Sequence, residues 1–352
     1  MELKKKTMVI GLGNCGCKIA KLFADTGYDA MFANGSVQDL KVLGNIKNIY
    51  KLVGFDGFAG HRERAMECLS MNEEFTDALE HIDHKLVFLI YAAGGSTGSG
   101  LSSVVAQYLL DVYGDDKIIC AVPVLPAENE AITKHRNAYQ AIAELMQIDG
   151  LGASFILDNS KCSDGNLKWI NSSFVSLLNA FLTDDSWGEQ NNFDQSERIE
   201  MLSESGAMII SVSKDGIGKL LNGNVFAPLQ NDMVCGNIGI IHSGKHDVEA
   251  DTIIAEVGKP ANIFEGYNGR GTLIAVSGLS YPIDHVTRLG KLAVDAQKER
   301  QRNIDAAKTA MLPTLDFSTT QPQKPTIAPK AKQKPVSGRD ALLAMRKQKS
   351  AM

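Results

Sequence analysis

Two short glycine-rich segments, each set between an apolar run and a helical pattern, constrain this chain more than any other feature. The first, Gly11-Leu12-Gly13-Asn14-Cys15-Gly16, follows Met8-Val9-Ile10 and precedes the helical pattern Lys18 to Ala24. The second, Ala93-Gly94-Gly95-Ser96-Thr97-Gly98-Ser99-Gly100, follows Leu86 to Tyr91 and precedes a helix starting near Leu101. Glycines in such turns let backbone N–H groups approach an oxygen anion, and the positive end of the following helix favours phosphate. In the second segment four glycines interleaved with three hydroxyls make a concave run of donors that can wrap phosphate oxygens. Neither segment ends in Gly-Lys-Ser/Thr, so phosphate is expected to be held by main-chain dipoles without a dedicated lysine.

The rest of the chain extends the same strand and helix alternation. Apolar runs at Met8-Val9-Ile10, Ala30-Met31-Phe32, Leu86 to Tyr91, Ile118 to Val124 and Ser154 to Leu157 predict an α/β fold with a parallel sheet covered by helices. Their hydrophobicity is continuous, as strands buried on both faces require. Phe174, Leu177, Leu178 and Phe181 recur at helical spacing and predict a helix from about Asn171 to Leu182. Beyond a strand over Ala207 to Val212, strand-like Ile238 to Ile241 and Thr272 to Val276 flank a helical stretch near Ala250 to Val257, which predicts a smaller α/β domain. A last helix is expected from Asp284 to about Met311, with Val286, Leu289, Ala293 and Ala296 on one side.

Composition narrows the class further. A length of 352 residues accommodates two domains. No run of about 18 apolar residues is present, so neither secretion nor a membrane span is expected and the location expected is the cytoplasm. Cys15, Cys17, Cys68, Cys120, Cys162 and Cys235 show no CxxC pair, and no histidine pair stands at zinc spacing, so reduced thiols and no protein metal cluster are expected. The net charge of −5 is uneven: residues 319–352 carry eight Lys or Arg against Asp340, a local +7, which leaves −12 on the first 318 residues. With Pro322, Pro325, Pro329 and Pro335 interspersed, this basic segment is expected to be a flexible tail.

Taken alone, the first glycine loop fits a dinucleotide fold and hence an NAD-dependent oxidoreductase. That reading needs an acid at the end of the second strand to hold ribose, where this chain has Asn34. The second loop points elsewhere. Gly94 to Gly100 resembles the tubulin signature GGGTGTG or GGGTGSG, and the chain is similar to the tubulin/FtsZ superfamily over roughly residues 7–282. Gly11 to Gly16 sits where that superfamily has its first phosphate loop. Asn34-Gly35-Ser36-Val37-Gln38 resembles its Asn-Thr-Asp-x-Gln loop, with Ser36 replacing the Asp near magnesium. Phe58-Ala59-Gly60-His61 lies where a third loop senses the γ-phosphate. Pro126 to Glu130 resembles the Pro-Phe-x-x-Glu segment whose carboxylate contacts ribose, with Lys134 where an Arg is usual. Asn159 and Asn171 match base-contacting positions.

The resemblance therefore implies binding of GTP/GDP, with Mg2+, through Gly13, Asn14, Cys15, Asn34, Gly60, Gly94, Gly95, Ser96, Thr97, Gly98, Ser99, Glu130, Asn159 and Asn171. It implies a GTP-binding domain over 1–170, a central helix over 171–184, a catalytic loop and smaller C-terminal α/β domain over 185–282, a C-terminal helix over 283–312 and the basic tail over 313–352. Asn192-Phe193-Asp194-Gln195-Ser196-Glu197 resembles the family's catalytic loop, which completes the site of the next subunit. Asp194 and Glu197 would then orient the attacking water, although each also suits a solvated turn. A head-to-tail contact of this kind generates a filament. The basic tail is similar to those of TubZ-like members, which implies docking onto a DNA-bound adaptor of the TubR type during plasmid or phage DNA segregation. An FtsZ-like or PhuZ-like filament, and a non-hydrolysing DNA-binding scaffold, remain as alternatives.

Overall fold

The computed structural model describes residues 2–53, 59–162, 165–184, 192–212, 224–244 and 246–309. Phe58, the segment 185–191 and the basic tail lie outside the described residues.

Among the described residues eleven strands form one sheet. They are β1 (Thr7–Leu12), β2 (Asp29–Asn34), β3 (Ile49–Lys51), β4 (Leu86–Ala92), β5 (Ile118–Leu125), β6 (Ala153–Ser154), β7 (Leu157–Asp158), β8 (Gly206–Val212), β9 (Asn237–Ile241), β10 (Asn262–Gly266) and β11 (Leu273–Leu279). The helices are α1 (Glu2–Lys5), α2 (Gly13–Asp25), α3 (Val37–Lys41), α4 (Arg62–Cys68), α5 (Glu73–Glu80), α6 (Thr97–Tyr113), α7 (Ile132–Leu145), α8 (Leu167–Thr183), α9 (Gln195–Ser203), α10 (Ala250–Val257) and α11 (Ile283–Thr309). The strand order is β10-β9-β11-β8-β6-β5-β4-β1-β2-β3, with β7 paired to β5. Pairing is parallel from β3 across to β8, antiparallel on both sides of β11, and parallel again between β9 and β10.

The continuous apolar strands have a simple cause. In β1 and β4, Met8, Ile10, Leu12, Val87, Leu89 and Tyr91 join one core cluster, while Val9, Leu86, Phe88 and Ile90 join the other. Alternate side chains point to opposite faces of a strand, so both faces are buried and no polar alternation survives. One face is covered by Leu101, Val105 and Leu109 of α6 together with Ala138, Ala141 and Ile142 of α7. The other is covered by Ile19 and Phe23 of α2 and by Ile170, Phe174, Leu178 and Phe181 of α8. Burying each of these large side chains contributes roughly 1.5–3 kcal/mol.

Several expectations shift. The central helix begins at Leu167, one turn earlier than its apolar stripe suggested, because Ile170 extends that stripe at full burial. The single strand expected over Ser154 to Leu157 is split, with β6 bridging β5 to β8 and β7 returning to β5. The parallel β6–β8 pair joins the strands of the expected smaller α/β domain to the same sheet. Residues Met1–Asn303 pack as one compact unit. No helix of the described residues is long and apolar enough to cross a membrane.

Candidate functional site

The chain leaves β1 in opposite directions toward its two sheet neighbours, β2 and β4, and such a reversal of strand order opens a crevice at the carboxyl ends of the strands. Both glycine-rich segments end there. Helix α2 starts at Gly13, directly off β1, and α6 starts at Thr97 with Ser96 as its flanking residue. The loops touch: a Cβ placed on Gly13 would stand 3.0 Å from the Gly98 nitrogen, and Gly13 itself has φ +71°, a conformation that disfavours any side chain. Two helix N-termini with unpaired N–H groups thus converge on one space, which favours an anion there.

That space is a cavity of about 530 Å3. Its walls bring together Gly13, Asn14, Cys15, Asn34, Gly94, Gly95, Ser96, Thr97, Gly98, Glu130, Asn159 and Asn171, residues drawn from six separate stretches of sequence. Two of the sequence-expected residues stand outside it. Ser99 is fully buried, its hydroxyl accepting from Arg62 Nε at 3.3 Å, and the Gly60 carbonyl accepts from Asn137 Nδ2 at 3.1 Å. The walls also contain Lys134, which stands where an Arg is usual, and Lys18, Asp39, Val124, Leu167 and Lys168, which belong to none of the motifs. Asp39 was legible as the acid that directly follows the Asn34 to Gln38 loop. Lysines 18 and 168 carry no such signal, because a lysine early in a helix is ordinarily a solvated residue.

The polar groups at one wall are already cross-linked. Glu130 accepts from Ala127 N at 2.8 Å and Asn159 Nδ2 at 3.1 Å through one oxygen, and from Lys134 Nζ at 2.6 Å through the other. Burial pushes the Glu130 carboxyl up, but these three donors outweigh it and hold the group below its ordinary range. Behind Asn159, the Asp158 carboxylate accepts from Ser160 N at 2.8 Å and pairs with His285 Nε2 at 3.0 Å, with both side chains almost fully buried. Burial likewise opposes ionisation of Asp158, and His285 and Ser160 overcome it, so its carboxyl is also lowered. Burial pushes the Cys15 thiol up to about 11, so it faces the cavity as a neutral thiol. Ser36 does not line the cavity: it caps α3, its hydroxyl accepting from Asp39 N at 3.3 Å. The Asp39 carboxylate reaches the wall instead and accepts from Asn34 Nδ2 at 3.2 Å.

Asp194 and Glu197 stand apart from this cavity. They form a reciprocal cap on α9, in which Asp194 Oδ1 accepts from Ser196 N at 2.7 Å and Glu197 N at 3.0 Å, while Glu197 Oε2 accepts from Asp194 N at 2.9 Å. Partial burial raises the Glu197 carboxyl. The turn before them is anchored by Phe193, which is buried and packs on Phe181 and Phe264. The Arg198 guanidinium donates to the Asp184 carbonyl at 2.5 Å and the Phe193 carbonyl at 3.1 Å, pinning both sides of segment 185–191.

Residues 6–165 match the profile of the Tubulin/FtsZ family, GTPase domain. The chain is 25% identical over 315 residues to the tubulin-like protein TubZ of Clostridium botulinum C phage, covering 85% of this chain and 86% of that protein. The crystal structure of Clostridium botulinum phage c-st TubZ superposes with a TM-score of 0.74 at 23% identity, over 84% of this chain and 99% of that one. A GTPγS-bound protofilament of CetZ2 from Haloferax volcanii gives a TM-score of 0.66 at 19% identity, over 83% of this chain and 99% of that one.

Proposed function

Because residues 6–165 match the Tubulin/FtsZ family, GTPase domain, we propose that this chain is a GTP-hydrolysing subunit that polymerises head to tail and completes its catalytic site only between subunits. One observation carries the reading: the glycine loops line a cavity of about 530 Å3 on one subunit, while the two acids suited to positioning water, Asp194 and Glu197, lie outside it. Phosphoryl transfer needs little covalent help, but it needs an in-line water and stabilised charge on phosphate. Within the cavity wall Glu130 is committed to three donors and is a poor base. Asp194 and Glu197 of a neighbouring copy would orient the water, while the N–H groups of the two loops stabilise phosphate charge. A structural relative, CetZ2 of Haloferax volcanii, is known as a GTPγS-bound protofilament, which is in keeping with a guanine nucleotide and with self-association.

In this reading Asn159 and Asn171 contact the base and Glu130 the ribose. Mg2+ fits the same wall, since that ion takes one or two carboxylates beside phosphate oxygens, and Asp39 is the carboxylate available where Ser36 caps a helix. Bound there, Mg2+ would neutralise part of the phosphate charge. The basic tail docks the filament to a DNA-bound adaptor of the TubR type, by salt-sensitive contacts, in plasmid or phage DNA segregation. A nicotinamide enzyme would account for the first glycine loop alone, whereas the cavity draws on both.

The test is phosphate release and light scattering with GTP over a range of protein concentrations. Turnover per subunit is expected to rise together with scattering; equal turnover per subunit in dilute monomer and in concentrated protein would refute assembly-dependent hydrolysis. Deleting residues 319–352 is expected to leave both curves in place and abolish pull-down of the adaptor–DNA complex, and a truncated chain that still binds the complex sinks the tail assignment.

A further inference from the structure

The glycine-rich segment 93–100 is backed by α7, and one buried side chain of that helix touches it at several points. Asn137 is 1% exposed, and its amide nitrogen lies 3.1 Å from the Gly60 carbonyl oxygen and 3.4 Å from those of Gly94 and Gly95. Three converging acceptors settle which end of the amide faces them, since only the NH2 group donates. The backbone is pressed against α7 at the same place: a Cβ on Gly94 would stand 3.0 Å from both Cβ and the carbonyl oxygen of Lys134.

The carbonyls that Asn137 holds dictate where the neighbouring N–H groups point. In a trans peptide the C=O and N–H are directed oppositely. Holding the Gly94 carbonyl toward α7 goes with the Gly95 N–H turning back to the Ala92 carbonyl at 3.1 Å. Holding the Gly95 carbonyl toward α7 turns the Ser96 N–H the other way, to the side of the cavity that Ser96 lines. Ser96 immediately precedes α6, so its N–H and the next ones have no partner within that helix and are the donors available to an anion. The same amide reaches the Gly60 carbonyl, which ties the segment before α4 to the loop in one contact.

We infer that Asn137 is a positioning residue for phosphate recognition: its amide locks the peptide planes of the 94–96 turn so that the Ser96 N–H faces the phosphates, and couples that turn to Gly60. The inference rests on the guanine nucleotide reading of the cavity. Asn137 does not line the cavity itself and acts through the loop.

The experiment compares full-length wild type with Asn137→Ala and Asn137→Leu, the latter nearly isosteric and without a donor. Dissociation constants for GTP, GDP and guanosine are measured by displacement of a fluorescent GDP analogue, alongside the melting temperature of each protein. Both variants are expected to bind GTP and GDP at least tenfold more weakly while guanosine stays within twofold of wild type, because only the phosphate contacts depend on the turn. Unchanged GTP and GDP affinity in either folded variant overturns the inference, and so does a proportionate loss for guanosine, the mark of general damage. If the wild type binds neither GTP nor GDP, the proposed function itself fails, an outcome separate from both.

Discussion

Arg62 places a full charge at 4% side-chain exposure, and its surroundings explain how the fold tolerates it. Its guanidinium meets Glu144 in a two-pronged pair at 2.6 and 2.5 Å and donates a further bond of 2.9 Å to the Ser99 carbonyl. Ser103 Oγ adds a donor to Glu144 at 2.9 Å. Burial pushes the Glu144 carboxyl up, and Arg62 and Ser103 more than reverse it, so in the folded protein it ionises below its ordinary value of 4.5. A depressed carboxylate contributes stability above the unfolded value and loses it as pH falls through the folded one. Glu144→Ala strands Arg62 and should cost about 3 kcal/mol in urea denaturation, the lower end for a broken buried pair because Glu144 is partly exposed. Glu144→Gln should cost less and should flatten the loss of stability below pH 4.5; a Glu144→Ala cost under about 1 kcal/mol would show that Arg62 finds water instead. Ser99 illustrates what a motif conceals. Its spacing predicted a hydroxyl facing phosphate, but the requirement to satisfy Arg62, far away in sequence, draws it into the interior.

At the scale of elements, the first turn of α11 is fastened to both loops at the Glu130 and Asn159 end of the cavity. His285 pairs with Asp158, Arg288 donates to His285 Nδ1 at 2.9 Å and pairs with Glu128 at 2.9 Å, and Asp284 exchanges two bonds with Gln230. Asp158 directly precedes Asn159 and accepts the Ser160 N–H, so His285 holds the carboxylate that shapes this turn. His285→Ala leaves a buried carboxylate short of a donor, with an expected cost of about 2–3 kcal/mol. Guanine nucleotide affinity should fall with it, and His285→Gln, which keeps a donor, should recover part of both. Calorimetric unfolding and nucleotide titration are the measurements, and equal stability of His285→Ala and wild type would remove the assignment. The sequence exposes little of this coupling, because its two ion pairs, His285–Asp158 and Arg288–Glu128, join residues more than a hundred positions apart. Long apolar elements were legible: β1, β4, β5 and β8 appear at their apolar runs, α11 starts within a residue of its expected start, and α8 was found although it begins one turn early. Short edge elements were not. Strand β3 spans three residues, and β10 has one partner and leaves Ile263 43% exposed, so neither carries the buried run that marks a central strand.

Across the whole molecule, the separation of cavity from Asp194 raises a question that stability alone can help answer. The two glycine loops suggest a phosphate site because backbone chemistry is local, whereas the role proposed for Asp194 and Glu197 would need a second copy that no single chain contains. Their reciprocal cap is a complete explanation within one subunit: Asp194 accepts two orphan N–H groups of α9 and Glu197 returns a bond to the Asp194 N–H. A cap can be kept while the negative charge is removed. Asparagine caps helices about as well as aspartate, so Asp194→Asn should stay within a few tenths of a kcal/mol of wild type, whereas Asp194→Ala should cost about 1 kcal/mol. If Asp194 also orients water for a neighbour's phosphate, both variants should still sediment as polymer with GTP, yet release phosphate at least a hundredfold more slowly, the usual scale for a positioned acid or base. Turnover that follows the cap, near normal in Asp194→Asn and reduced only in Asp194→Ala, would assign this carboxylate to the helix and leave hydrolysis to some other group. Turnover lost equally in both, with stability lost in one, separates the chemical role from the structural one.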